Sequence, residues 1–274
     1  MRRTAIAALC LAAAAATGLT ACQSDQGKAD AQPGDSGRPS QSSQAAKPKE
    51  PFAGLTADEI ADRAMSATTG ATSLRMKGEV PDDESSGTIS LDMALNKQGE
   101  CAGTMSMGGQ GKADLIKTGD TVYMKYDEAF LRAQSKGESK ADTDAVVAML
   151  AGKWAKMSAK GEDAKDIASF CDLDTVLEGP EGVGSDATDD STEAATVSRG
   201  RTTTVDGTPA LVLNAREGKD RYTLYVATEG EPYLLRLDST AADDAGTLTF
   251  SDYDEPVPAQ KPTGEIVDLD ALSG

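Results

Sequence analysis

Between residues 73 and 253 apolar and polar residues alternate with a period of two, which is typical of strands that bury one face. The clearest segment is 87–96, where Ile89, Leu91, Met93 and Leu95 fall on one side of the predicted strand. The same pattern predicts strands at 73–80, 101–107, 112–118 and 121–126, and a second set at 195–201, 208–216, 221–228, 233–239 and 247–253. Short turns such as Gly119-Asp120 favour antiparallel hairpins.

In the segments that precede each set of strands in the sequence, apolar residues recur at the spacing of a helix instead. Thr56 followed by Glu59 forms a capping box, which predicts a helix that ends near Gly70. Three further helical segments are predicted between the two sets, at 127–135, 142–150 and 167–177.

Strands in two runs, with helices inserted as a block, indicate an α+β fold. We expect one large curved antiparallel sheet, a half-barrel, with the helices packed on its concave face. The predicted domain covers 52–256, and the Pro-rich segment 257–274 is predicted to be a C-terminal tail.

The N-terminus has the pattern of an export signal. Two arginines are followed by an uncharged, Ala-rich stretch up to Ala21, which predicts a signal peptide over 1–21. Leu19-Thr20-Ala21-Cys22 looks like a bacterial lipobox, in which Cys22 carries acyl chains such as palmitate and anchors the protein to the outer face of the cell membrane. The alternative is ordinary signal cleavage near Ala21 with an incidental cysteine.

Residues 22–51 are rich in Gln, Ser, Gly, Pro, Lys and Asp, which predicts a flexible tether with a reach of roughly 30 Å. Signal removal deletes two of the 27 basic residues and none of the 45 acidic ones, so the net charge changes from −18 to −20. A body this acidic repels nucleic acid phosphates, and we expect no nucleic acid partner.

The chain contains no histidine, which excludes Ser-His-Asp and Cys-His catalysis and His-ligated zinc. The sequence also shows no Gly-x-Ser-x-Gly elbow and no other set of nucleophile, base or metal ligands, so we expect neither an enzyme nor a cofactor nor a metal site. Gly108-Gly109-Gln110-Gly111-Lys112 lacks phosphate-loop spacing and is predicted to be a hairpin turn. The acidic segment 179–193 lacks the spacing of a calcium loop and is interpreted as a solvated, mobile loop.

Four cysteines are present, of which Cys10 lies in the signal and Cys22 takes the lipid. In an oxidising compartment the remaining two, Cys101 and Cys171, are predicted to form a disulfide that attaches the helical insert to the sheet. The alternative is a pair of free thiols.

Taken together, the lipobox, the tether, the opening helix, the strand order and Gly152-Lys153-Trp154 resemble the LolA and LolB lipoprotein-carrier fold and the LppX and LprG lipoproteins. The acidic segment 179–193 departs from that pattern. The resemblance implies an acylated, tethered domain in which helices cover a hydrophobic cavity that holds lipid.

Methionine is a flexible residue that suits surfaces for irregular apolar ligands. Several methionines fall on adjacent predicted strands and helices, and we expect them to line an acyl-chain cavity under a lid formed by 127–150. The candidate lining residues are Leu91, Met93, Leu95, Met105, Met107, Leu115, Val122, Met124, Val146, Met149 and Leu150.

The alternative for these residues is an ordinary packed core. For function, the first hypothesis is a membrane-anchored lipoprotein that binds or carries lipid or glycolipid. The second is a cell-surface interaction or sensor module that uses the same fold to bind an envelope protein.

Overall fold

The computed structural model describes residues 50–82, 87–178, 196–241 and 245–272. The signal peptide, Cys22, nearly all of the predicted tether and the acidic segment 179–193 lie outside these residues. The helices among the described residues are α1 (Ala57–Gly70), α2 (Glu128–Gln134), α3 (Lys140–Leu150), α4 (Glu162–Ser169) and α5 (Leu173–Glu178). No helix in these ranges is long and apolar enough to cross a membrane.

The strands found in the same ranges belong to one twelve-stranded sheet. They are β1 (Ser73–Asp82), β2 (Gly87–Asn96), β3 (Cys101–Met107), β4 (Gly111–Thr118), β5 (Thr121–Tyr126), β6 (Trp154–Ser158), β7 (Thr196–Val205), β8 (Thr208–Glu217), β9 (Asp220–Ala227), β10 (Leu234–Ser239), β11 (Gly246–Ser251) and β12 (Ile266–Asp268).

The spatial order of the strands is β12-β6-β5-β4-β3-β2-β1-β11-β10-β9-β8-β7. Two antiparallel meanders, β1–β6 and β7–β11, are therefore joined side by side through the antiparallel pairing of β1 with β11. The sheet is open, because β12 and β7 lie at its opposite edges. The predicted α+β class with a single large antiparallel sheet is confirmed.

The segment predicted to be a C-terminal tail contributes a strand. β12 pairs in parallel with β6, from Ile266 opposite Trp154 to Asp268 opposite Lys156. A salt bridge of 2.7 Å between Lys156 and Asp268 reinforces the pairing. Three residues are too few to show an alternating pattern, so this strand is set by its partner and not by local sequence.

Helix α1 begins where the capping box predicts. The Glu59 backbone N–H donates to the Thr56 hydroxyl at 3.2 Å, and the Thr56 N–H donates to the Glu59 carboxylate at 2.7 Å. The helix buries Ile60, Ala64 and Thr68. Thr68 is satisfied in the core because its hydroxyl accepts from the Leu234 N–H at 3.0 Å, which ties α1 to β10.

The predicted helix 167–177 is divided in two. Cys171 lies between α4 and α5 and is bonded to Cys101 at the start of β3. Next to it, Asp172 forms a β-bridge with Asn96, and its carboxylate accepts from the Thr175 N–H at 2.9 Å. The chain is held against the sheet here, so the first helix ends and a second begins.

Candidate ligand-binding site

A cavity of about 400 Å³ lies between one face of β1–β4 and the pair of helices α4 and α5. Its volume is within the range of about 300–1,000 Å³ that is common for small-molecule sites. The residues that line it are Met76, Leu91, Met93, Leu95, Met105, Leu115, Ser169, Phe170, Thr175 and Val176.

The lining is chemically uniform. Three methionines and three leucines come from the sheet, while Phe170 and Val176 come from the helical side. Ser169 and Thr175 add two hydroxyl groups, and no residue of the lining is ionisable. The cavity can therefore surround hydrocarbon, but its own side chains supply no acid, base or charged group to a reaction.

Burial of the lining changes from one part of the cavity to another. Leu95, Leu115 and Met93 are 0, 1 and 4 % exposed, so this part of the floor is closed to solvent. Leu91 and Met105 are only half-buried. On the helical side Phe170 is 58 % exposed, although it is a large aromatic residue. The cavity therefore has a closed floor and an open, apolar side.

The two faces of β2 differ in chemistry, as the alternation predicts. Leu91, Met93 and Leu95 face the cavity, whereas Asp92 and Ala94 line a second cavity of about 590 Å³ beside residues 252–258. Within that second cavity Arg75 donates to Asp92 at 2.6 Å, and this hydrogen bond lowers the pKa of the Asp92 carboxyl. Asp252 and Glu255 also line this second cavity, so its lining is acidic overall, unlike that of the first.

The disulfide fixes the helical side of the apolar cavity. Cys101 and Cys171 are bonded across 70 residues, as predicted, and both are fully buried. Because Phe170 directly precedes Cys171, the bond holds this part of the wall against β3. Leu173, also fully buried, anchors the start of α5.

Five of the eleven candidate lining residues line this cavity: Leu91, Met93, Leu95, Met105 and Leu115. Val122 and Met124 are buried in the core on β5, and Leu150 is buried at the end of α3. Met107 is half-buried at the end of β3, and Val146 and Met149 lie on α3, where Met149 is exposed. None of these six is part of the lining.

The helical wall comes from a different segment than expected. The segment 127–150 was expected to form the lid, but the cavity is covered by α4 and α5. Helix α2 instead packs on β4 and is joined to α3 by a 3.0 Å salt bridge between Arg132 and Asp144.

The sequence interpretation missed Met76 and the four helical residues of the lining. The predicted disulfide could have located the four helical residues. Pairing Cys171 with Cys101 places the neighbours of Cys171 above β3, next to the strand that carries Leu91 and Met93.

No family model matches the chain, and no curated protein matches it. Among solved structures it is similar to the lipoprotein LppX of Mycobacterium tuberculosis, with 15 % identity, a TM-score of 0.45, and coverage of 74 % of this chain and 97 % of that one. LprF of Mycobacterium bovis matches with 15 % identity and a TM-score of 0.49, covering 76 % and 97 %.

A LolA superfamily protein from Nitrosomonas europaea matches with 9 % identity and a TM-score of 0.24, covering 76 % of this chain and 96 % of that one. LppX and the LolA superfamily, which the sequence resemblance named, are thus both among the structures that this chain resembles. At these identities and TM-scores the matches assign no ligand to it.

Proposed function

We propose that this chain is an extracytoplasmic lipoprotein that binds the acyl part of a lipid in the cavity between β1–β4 and α4–α5, and that it catalyses no reaction. The cavity carries this proposal, because it is lined by apolar side chains, closed at its floor and open beside an exposed phenylalanine. Each methylene group that moves from water into such a site contributes roughly 0.8 kcal/mol, so about ten give on the order of 8 kcal/mol before association costs.

The methionines suit this role because a thioether side chain adopts many rotamers at low cost. Met76 and Met93 are direct cross-strand neighbours in the lining, and Met105 stands opposite Leu91. A lining of this kind can follow the shape of a flexible chain, whereas a strongly polar ligand would find only the side-chain hydroxyls of Ser169 and Thr175 as partners.

Copurified ligand is the direct test. The unchanged protein and a Thr175→Trp variant are each extracted from the membranes of the cells that produce them. Both are then analysed by native mass spectrometry. Thr175 is an exposed residue of the lining, so an indole at this position occupies the open side of the cavity. We expect bound lipid on the unchanged protein and its loss in the variant.

Thr204→Trp is the matched control, since Thr204 is exposed on edge strand β7, away from the cavity lining. The control should retain the lipid. Unchanged protein without any bound lipid, or equal lipid on both tryptophan variants, would contradict the proposal and favour a module that binds an envelope protein.

Attachment of the domain to the membrane is the second part of the proposal, and it is supported by Leu19-Thr20-Ala21-Cys22 and by the polar residues that follow. At the start of the domain Arg199 donates to the carbonyl oxygens of Pro51 and Phe52 at 2.6 and 3.2 Å, so the chain enters the domain beside β7.

Metabolic labelling with an alkyne fatty acid tests the anchor. The unchanged precursor should become labelled and Cys22→Ser should not, whereas equal labelling of the two would refute lipidation at Cys22.

A further inference from the structure

We propose that the cavity takes one acyl chain, so that the ligand is a single-chain amphiphile and not a lipid with two or more acyl chains. This inference rests on the proposed function and specifies its ligand class. It follows from the volume of the cavity, the closure of its floor and the chemistry of its lining.

Volume sets the first limit. The cavity has about 400 Å³. A methylene group is similar in size to a water molecule, whose share of liquid volume is about 30 Å³, so roughly 13 such groups fill the space. One acyl chain of 12 to 14 carbons has about that size, and a second chain would have to remain outside.

The shape of the floor sets the second limit. Along β2 the lining runs from half-buried Leu91 through Met93 to fully buried Leu95, a span of about 13 Å at the strand rise of 3.3 Å per residue. Leu95 and Leu115 close the buried part, and the disulfide between Cys101 and Cys171 stands next to it. A chain that enters from the open side therefore ends against a fixed wall.

The lining also decides where the polar group of the ligand lies. Only the hydroxyls of Ser169 and Thr175 are polar, and an ionised group buried without a partner is strongly disfavoured. The head group is thus expected in solvent at the open side, where Leu91, Met105 and Phe170 are partly exposed. The site should distinguish ligands by the number and length of their chains more than by their head groups.

Isothermal titration of the full mature chain, with Cys22→Ser to remove the anchor, tests these expectations. The probes are fatty acids of eight to eighteen carbons, a fourteen-carbon lysophosphatidylcholine and dimyristoyl phosphatidylcholine in vesicles. We expect 1:1 binding, an affinity that rises about fourfold per methylene and then levels near 12 to 14 carbons, and similar values for the fatty acid and the lysolipid of equal length. The two-chain lipid should bind at least tenfold more weakly than the lysolipid.

A second variant tests whether the floor sets the chain length. Leu115→Ala removes three side-chain carbons from the closed part of the cavity. The levelling point, which is the chain length at which the affinity stops rising, should therefore increase by about two to three carbons. Leu213→Ala is the matched control, because Leu213 is equally buried on β8 but does not line the cavity. It loses similar packing and should keep the original levelling point.

The outcomes separate the two proposals. Binding of two chains per protein, tighter binding of the two-chain lipid, affinity that continues to rise to eighteen carbons, or the same levelling point in both alanine variants would overturn the single-chain inference and leave lipid binding intact. Absence of binding for every probe, together with no copurified lipid, would overturn the proposed function itself.

Discussion

Removal of the bond between Cys101 and Cys171 is the perturbation whose size can be worked out most directly. The bond closes a loop across 70 residues, and the chain-entropy relation gives a stabilisation of about 4 kcal/mol for a loop of that length. Domains are stabilised by only about 5–15 kcal/mol in total, so the loss is a large fraction of the free energy of unfolding.

The effect should be greatest at the wall of the cavity. Helices α4 and α5 have 8 and 6 residues, and isolated helices shorter than about 12–15 residues are marginal in water. Their order therefore depends on attachment to the sheet, through the disulfide and through buried residues such as Leu173. Without the bond we expect faster amide hydrogen exchange in α4 and α5 than in β2 and β3.

The assay is urea unfolding of the Cys22→Ser chain, oxidised and reduced, beside a variant that also carries Cys101→Ala and Cys171→Ala. With a denaturant slope of about 2–3 kcal/mol/M, a loss of about 4 kcal/mol lowers the midpoint by roughly 1.3–2 M. Reductant should have no effect on the alanine variant. A midpoint shift below about 0.3 M on reduction, or unchanged exchange in α4 and α5, would refute the reasoning.

Two further predictions concern α1 and a hydrogen-bonded pair beside it. Thr56→Ala removes the N-cap of α1 and should lower the free energy of unfolding by about 1 kcal/mol in urea titrations, and an unchanged midpoint would show that the capping box is unimportant here. The hydrogen bond of 2.6 Å from Tyr233 to Asp254 raises the pKa of the Tyr233 hydroxyl to about 12 and lowers the pKa of the Asp254 carboxyl. The folded state therefore holds the tyrosine proton more tightly than the unfolded state, whose pKa is about 10, so this stability is complete from neutral pH up to about pH 10 and is lost between about pH 10 and 12. In acid it is lost as well, because Asp254 is then protonated. Tyr233→Phe should unfold with a weaker dependence on pH in that range, and parallel curves for the two proteins would count against the linkage.

Much of the fold could be predicted because its signals are local. In β2 the alternation of Leu91, Asp92 and Met93 reports which face is buried, and the structure places these residues on opposite faces. The capping box at Thr56 likewise uses atoms only three residues apart. Such features depend on neighbours in the chain, so the pattern of residues is enough to predict them.

The candidate cavity could be predicted only in its sheet half. Its floor on β2, β3 and β4 follows from the meander, whereas its cover depends on which helices lie above those strands. The segment 127–150 and the segment 167–177 both have apolar residues at helical spacing, and that spacing does not indicate which strands a helix contacts. The disulfide at Cys171 and the bridge between Asn96 and Asp172 select the second segment.

The strand β12 illustrates the same division. Its three residues are too few to show an alternating pattern. They form a strand because they pair with the edge of β6 and because Lys156 forms a salt bridge with Asp268. Alternation, capping and the lipobox-like segment before Cys22 are properties of consecutive residues and can be recognised in the sequence. The strand order, the cover of the cavity and its volume arise from contacts between residues far apart in the chain, and those contacts exist only after folding.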